Sequence, residues 1–112
     1  MNATTSSPPP GPYDGPVVEE EIHLTLVELC RVCHVPEQQV RDWVGEGALE
    51  PAGSAPAEWR FAGAALKRTR VATRLARDFE LSAPGVALAL DLLDEIESLR
   101  ARLRRLAGGG GR

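Results

Sequence analysis

At 112 residues and 43% apolar composition the chain has room for one compact domain, and with aromatics at only 4% the bulky anchors are Trp43, Trp59, Phe61 and Phe79. A core filled otherwise by Ala, Val and Leu is small enough that its stability is expected to draw on association. The net charge of −3 excludes a uniformly basic nucleic-acid binder, no run of about 18 apolar residues is present to cross a bilayer, and two cysteines are too few for a disulfide-stapled secreted domain.

The N-terminus also lacks the charged, apolar and small-residue order of a secretory signal, so a cytoplasmic protein without membrane contact is expected. The charge is polarised. Nine acids between Val17 and Glu58 face only Arg31 and Arg41, whereas the stretch from Trp59 to Glu80 holds six bases against Asp78 and Glu80.

Residues 1–18 are rich in Ser, Thr, Pro and Gly and hold one large side chain, Tyr13, which predicts a disordered tail. A short strand is expected over Glu20 to Leu24, where Ile22 and Leu24 alternate with Glu21 and His23. Thr25 stands three before Glu28, the spacing of a capping box, and opens a helix to about Cys33. Pro36 fits the first turn of the next helix, whose buried stripe is Val40, Trp43 and Val44 and whose end is marked by Gly45 and Gly47.

Two extended arms, Leu49 to Pro51 and Glu58 to Phe61, flank a tip of Gly, Ser, Ala and Pro and predict a small β wing. A third helix follows from about Gly63 to Glu80. Ala65, Thr69, Ala72, Ala76 and Phe79 share its expected core face, with Lys67, Arg70, Arg74 and Arg77 on the opposite one. Ser82 is placed to cap a fourth helix running to about Leu106. The expected organisation is a winged-helix domain over residues 19–107 and a flexible glycine tail over residues 108–112.

The segment LTLVELCRVCHVPEQQVRDWVGEGALEP, from Leu24 to Pro51, reads as a helix-turn-helix, a scaffold that usually lays its second helix in the DNA major groove. That helix carries Glu37, Asp42 and Glu46 against Arg41 alone. Phosphate contacts need Lys or Arg, so the surface repels duplex DNA and suits a basic polypeptide. The basic face of the third helix argues the other way, and a DNA-binding transcriptional regulator stands as the competing reading.

Leu92, Ile96, Leu99, Leu103 and Leu106 recur in steps of four, three, four and three, a heptad seam. Acids at Asp91, Asp94, Glu95 and Glu97 precede bases at Arg100, Arg102, Arg104 and Arg105. Acids early and bases late suit the helix dipole, and one apolar face packed on its own domain would show the same seam. Two copies laid antiparallel would also set acidic half beside basic half, with Glu95 facing Arg102 of the second chain. An antiparallel coiled-coil homodimer is therefore expected.

Cys30, Cys33 and His34 spell the CxxCH attachment sequence of c-type haem, but the export signal and a second axial ligand are lacking, since Met1 is the only methionine. Zinc would need two more ligands where His23 is the sole remaining soft donor. Cys30, in phase with Leu26 and Leu29, reads better as a core residue. No carboxylate pairs with a His, Ser or Cys in a catalytic arrangement, and no phosphate-cradling glycine loop is present, so neither an enzyme nor a cofactor or metal site is expected.

The Leu24 to Pro51 segment, the EWRF that follows, and the run PGVALALDLLDEIESLRARL together resemble the CbpM family of chaperone modulators over roughly Leu24 to Leu106. The resemblance implies a mainly α, MerR-like winged helix-turn-helix with a long C-terminal dimerisation helix. It implies binding to the J-domain of a CbpA or DnaJ-type co-chaperone, and inhibition by covering the surface that DnaK would use. J-domains present a basic helix beside their His-Pro-Asp loop, which suits an acidic partner. The candidate contacts are Glu37, Asp42 and Glu46 or Asp91, Asp94 and Glu95. The candidate dimer interface is Leu92, Ile96, Leu99, Arg102, Leu103 and Leu106.

Overall fold

The computed structural model describes residues 22–110, and the expected tail over residues 1–18 lies outside them. Strand β1 is His23–Leu24, and helix α1 follows at Leu26–Cys33. The capping box is formed: the Thr25 hydroxyl accepts from the Glu28 amide at 3.1 Å while the Glu28 carboxylate accepts from the Thr25 amide at 2.9 Å. His34 stops the helix in the left-handed region at φ 56°, and the Val35 amide turns back to the Cys30 carbonyl.

Helix α2 spans Glu37–Gly45, with Pro36 just before it as the N-cap residue. Its exit is tight. Gly47 takes φ 81°, where a side chain would be strained, and the Gly47 and Ala48 amides return to the carbonyls of Val44 and Trp43.

The wing is thinner than the sequence suggests. Its two arms meet only in a bridge between Ala52 and Arg60, enclosing a short 3₁₀ turn at Pro56–Glu58. Gly53 is required at the tip, because φ is 104° and an added Cβ would lie 2.6 Å from the Glu58 carbonyl oxygen. Strand β2, Phe61–Ala62, instead pairs antiparallel with β1, in the register Leu24 to Phe61 and His23 to Ala62. Leu49, expected in an extended arm, is 1% exposed and belongs to the core.

Helix α3, Gly63–Phe79, packs against α1, and helix α4, Ala83–Gly110, crosses both α2 and α3. Helix α4 runs beyond its expected end near Leu106. The core is Leu29, Val40, Trp43, Leu49, Phe61 and Val86, all essentially inaccessible, with Trp59 set edge-on to Phe61 at 6.0 Å. Thr69 is fully buried within α3, where its hydroxyl is satisfied by the Ala65 carbonyl at 2.7 Å.

Phe79 corrects an expectation. It continues the stripe of Thr69, Ala72 and Ala76, yet it is 68% exposed, because it is the last residue of α3 and lies past the helices that cover the stripe. Val44, also expected in a buried stripe, is only half-buried. Cys30 is a buried free thiol in the core, as its phase with Leu26 and Leu29 predicts, and Cys33 is buried and free beside it.

Candidate functional site

Helix α2 turns Val40 and Trp43 inward because they stand three apart on one side of a helix. Glu37, Gln38, Arg41, Asp42 and Glu46 are left exposed on the other. The face that a helix-turn-helix offers to a ligand is therefore acidic in three dimensions as well as in sequence. Gln38 donates to the Asp42 carboxylate at 2.9 Å and fixes its orientation. Glu37 and Arg41 line a cleft of about 170 Å³ against the wing residues Pro56 and Ala57, so Glu37 stands on the wing side of α2.

The acids of α4 occupy a different place. After Val86 and Leu90, the last of its residues in the core, every side chain from Asp91 to Arg100 is exposed. Asp91 and Asp94 face the turn after α2 across a groove of about 430 Å³, lined also by Gly47, Glu50 and Arg68. Glu46 precedes the lining residue Gly47 in sequence, and Glu95 follows Asp94.

Arg68 governs this groove and was not singled out by sequence reasoning. Its Nη1 donates to both Asp94 oxygens, at 2.8 and 2.9 Å, its Nη2 lies 4.0 Å from Asp91, and its Nε donates to the Ala48 carbonyl at 2.6 Å. One cation thus compensates part of the acidic end of α4, leaving Glu95 and the outer side of Asp91 as its less compensated charges. The one signal available was negative: of the bases on α3, Arg68 alone fell outside both the core stripe and the basic face.

The seam residues of α4 are uncovered by the chain's own domain. Leu92, Ile96, Leu99, Leu103 and Leu106 range from 44% to 70% exposed, so the seam is not a face packed on its own core. Arg102 is exposed beside them.

Lys67, Arg70, Arg74 and Arg77 form the exposed basic face of α3. Arg70, Arg74 and Arg77 border a second groove with Val32, Cys33 and His34. Burial pushes the Cys30 thiol up to about 11, with Glu37 and Cys33 adding to the rise. Burial also raises Cys33, against the opposing pull of the Arg70 guanidinium. Among the described residues no group of three or more His, Cys, Asp or Glu is placed to hold a metal ion. No described helix is long and apolar enough to cross a membrane.

A helix-turn-helix followed by a wing, a further helix and a long terminal helix defines a MerR-like architecture. The family model described as "MerR HTH family regulatory protein" matches residues 24–107. Within that class, the chain is 40% identical over 92 residues to the chaperone modulatory protein CbpM of Coxiella burnetii, covering 82% of this chain and 87% of the relative. It is 39% identical over 80 residues to CbpM of Pseudomonas putida strain GB-1, covering 71% and 79%, and 36% identical over 91 residues to that of strain F1, covering 81% and 90%. The chain belongs to the CbpM family.

Proposed function

We propose that this protein is a chaperone modulator that binds the J-domain of a CbpA or DnaJ-type co-chaperone and inhibits it by covering the surface that DnaK uses. It acts by occupying a surface rather than by catalysis, and it does so from the cytoplasm. The observation that carries this reading is the acidic exposed face of α2, held on a helix-turn-helix whose ordinary ligand is polyanionic. Complementary potential against a basic J-domain helix speeds encounter and fixes the docking register more than it deepens affinity.

The working form is an antiparallel homodimer joined through the α4 seam. What supports it is five large apolar side chains left in solvent, together with a charge order that pairs each acidic half with a basic one. Exposed charge pairs contribute roughly 0.2 to 1 kcal/mol each, whereas a buried leucine contributes about 1.5 to 3, so the leucines carry the association.

The test is calorimetric titration of the full chain with a purified J-domain, paired with a DNA mobility shift at low salt. Saturable J-domain binding without DNA retardation is the expected result. Tight, salt-sensitive DNA binding with no J-domain heat would make the protein a MerR-type regulator of transcription instead.

A further inference from the structure

The groove between α1 and the second half of α3 is assigned no role by the J-domain reading. Arg70, Arg74 and Arg77 recur along its α3 wall at steps of four and three, a rise of about 10.5 Å and so the length of about three extended residues. Its volume is about 430 Å³. A smaller cavity of about 190 Å³ shares His34, Thr73 and Arg77 with it and extends it past Val35 to Pro36 and Gln39 of the α2 start.

The chemistry of the trough is one-sided. Its lining includes no Asp or Glu, and the charged or titratable groups that face it are the three arginines, His34 and the buried Cys33 thiol. Among the described residues Arg70 and Arg74 enter no ion pair, and Arg77 has only its neighbour Asp78 at 3.9 Å. Arg70 also reaches the Cys33 thiol, and guanidinium forks lining the groove with Val32, Cys33, Thr73 and Ala76 match carboxylates carried on a chain with apolar atoms between them.

We infer that this groove docks an acidic segment of a polypeptide, a second contact separate from the acidic face of α2. Glu37, which lines the cleft on the wing side of α2, does not line this groove, so the recess is free of acid along its length. A single extended chain lies in it with its carboxylates toward the arginines and its apolar atoms against Val32 and Ala76. The inference is independent of the J-domain proposal, since it concerns the opposite sign of charge on a different helix.

The experiment is fluorescence anisotropy of labelled hexaglutamate titrated with the full chain, with labelled hexalysine and a short DNA duplex as companion probes. Hexaglutamate should bind saturably. The R70E/R74E variant should lose about tenfold or more in affinity, while R41E/R60E, an equal charge change on exposed side chains of α2 and the wing, should hold affinity within about twofold. Both altered side chains of R70E/R74E are exposed, so circular dichroism should match the parent; if that variant misfolds, R74Q/R77Q carries the same expectation of loss. Equal losses in the two reversed pairs, absence of saturable hexaglutamate binding, or a duplex that binds more tightly and displaces the peptide would each overturn the assignment.

Discussion

Arg68 and Asp94, 26 residues apart in sequence, are joined at 2.8 Å, and the same guanidinium donates at 2.6 Å to the carbonyl of Ala48. A single side chain therefore ties the turn after α2 to α3 and to the first exposed turns of α4. It sets the angle at which the acidic recognition face and the long helix are held relative to each other.

Removing that tie should cost stability unequally from its two ends. Arg68→Met strands the carbonyl of Ala48, a residue only 1% exposed, and should lower unfolding free energy in urea by about 1 to 3 kcal/mol. Asp94→Asn should cost only about 0.2 to 1 kcal/mol, because its carboxylate is 59% exposed and screened. Equal losses would show that the ion pair, and not the buried carbonyl contact, does the joining.

The proposed J-domain contact has two candidate acidic surfaces, and charge reversal separates them. E37K/D42K/E46K should weaken J-domain binding by tenfold or more, on the order of 1.4 kcal/mol, if the α2 face docks. E95K probes the α4 surface while leaving both carboxylate partners of Arg68, Asp91 and Asp94, in place. Calorimetry in which only the second variant loses affinity would transfer the docking surface to α4.

Leu99→Asp places a carboxylate at the centre of the exposed seam and should convert the proposed dimer to monomers in sedimentation equilibrium. Each buried leucine contributes about 1.5 to 3 kcal/mol to association, and an unpaired buried charge opposes it further. A dimer that survives this change would rule out the seam as its interface.

The buried thiol of Cys30 makes stability sensitive to alkali. Its folded value of about 11 lies above the ordinary 9.0, so the native state holds the proton more tightly than the unfolded chain. The corresponding stabilisation is complete below pH 9 and is lost as pH rises from there through about 11. Thermal unfolding followed across that window should show a decline in the parent that is reduced in Cys30→Ala, compared at matched reference stability. An identical decline in both would assign it to other groups.

Much of this architecture is legible in the residues because it is local. The Thr25 to Glu28 capping box, the Val40 and Trp43 stripe and the glycine exit of α2 each depend on neighbours within a few positions. What escapes the sequence is long-range. Two-residue strands leave no periodic pattern, so the pairing of β1 with Phe61–Ala62 is invisible before folding, and Leu49 looks like a wing arm when it is a core residue. Phe79 shows the complementary error, since a stripe reports which side of a helix is apolar but not how far the covering layer extends. The acids were found by type, while the compensation of Asp94 by Arg68 needed the crossing of α3 and α4.

Past Leu90, helix α4 continues for twenty residues to Gly110, and those whose burial is described, residues 91–108, include no core residue. The packed turns up to Leu90 nucleate this helix, but the turns beyond them gain no stabilisation from a neighbouring layer and are held by their own hydrogen bonds. Their backbone amides should accordingly be the first to exchange with deuterium when the protein is diluted. The last turns of α4 are therefore the part of this molecule whose order depends most on what lies against them.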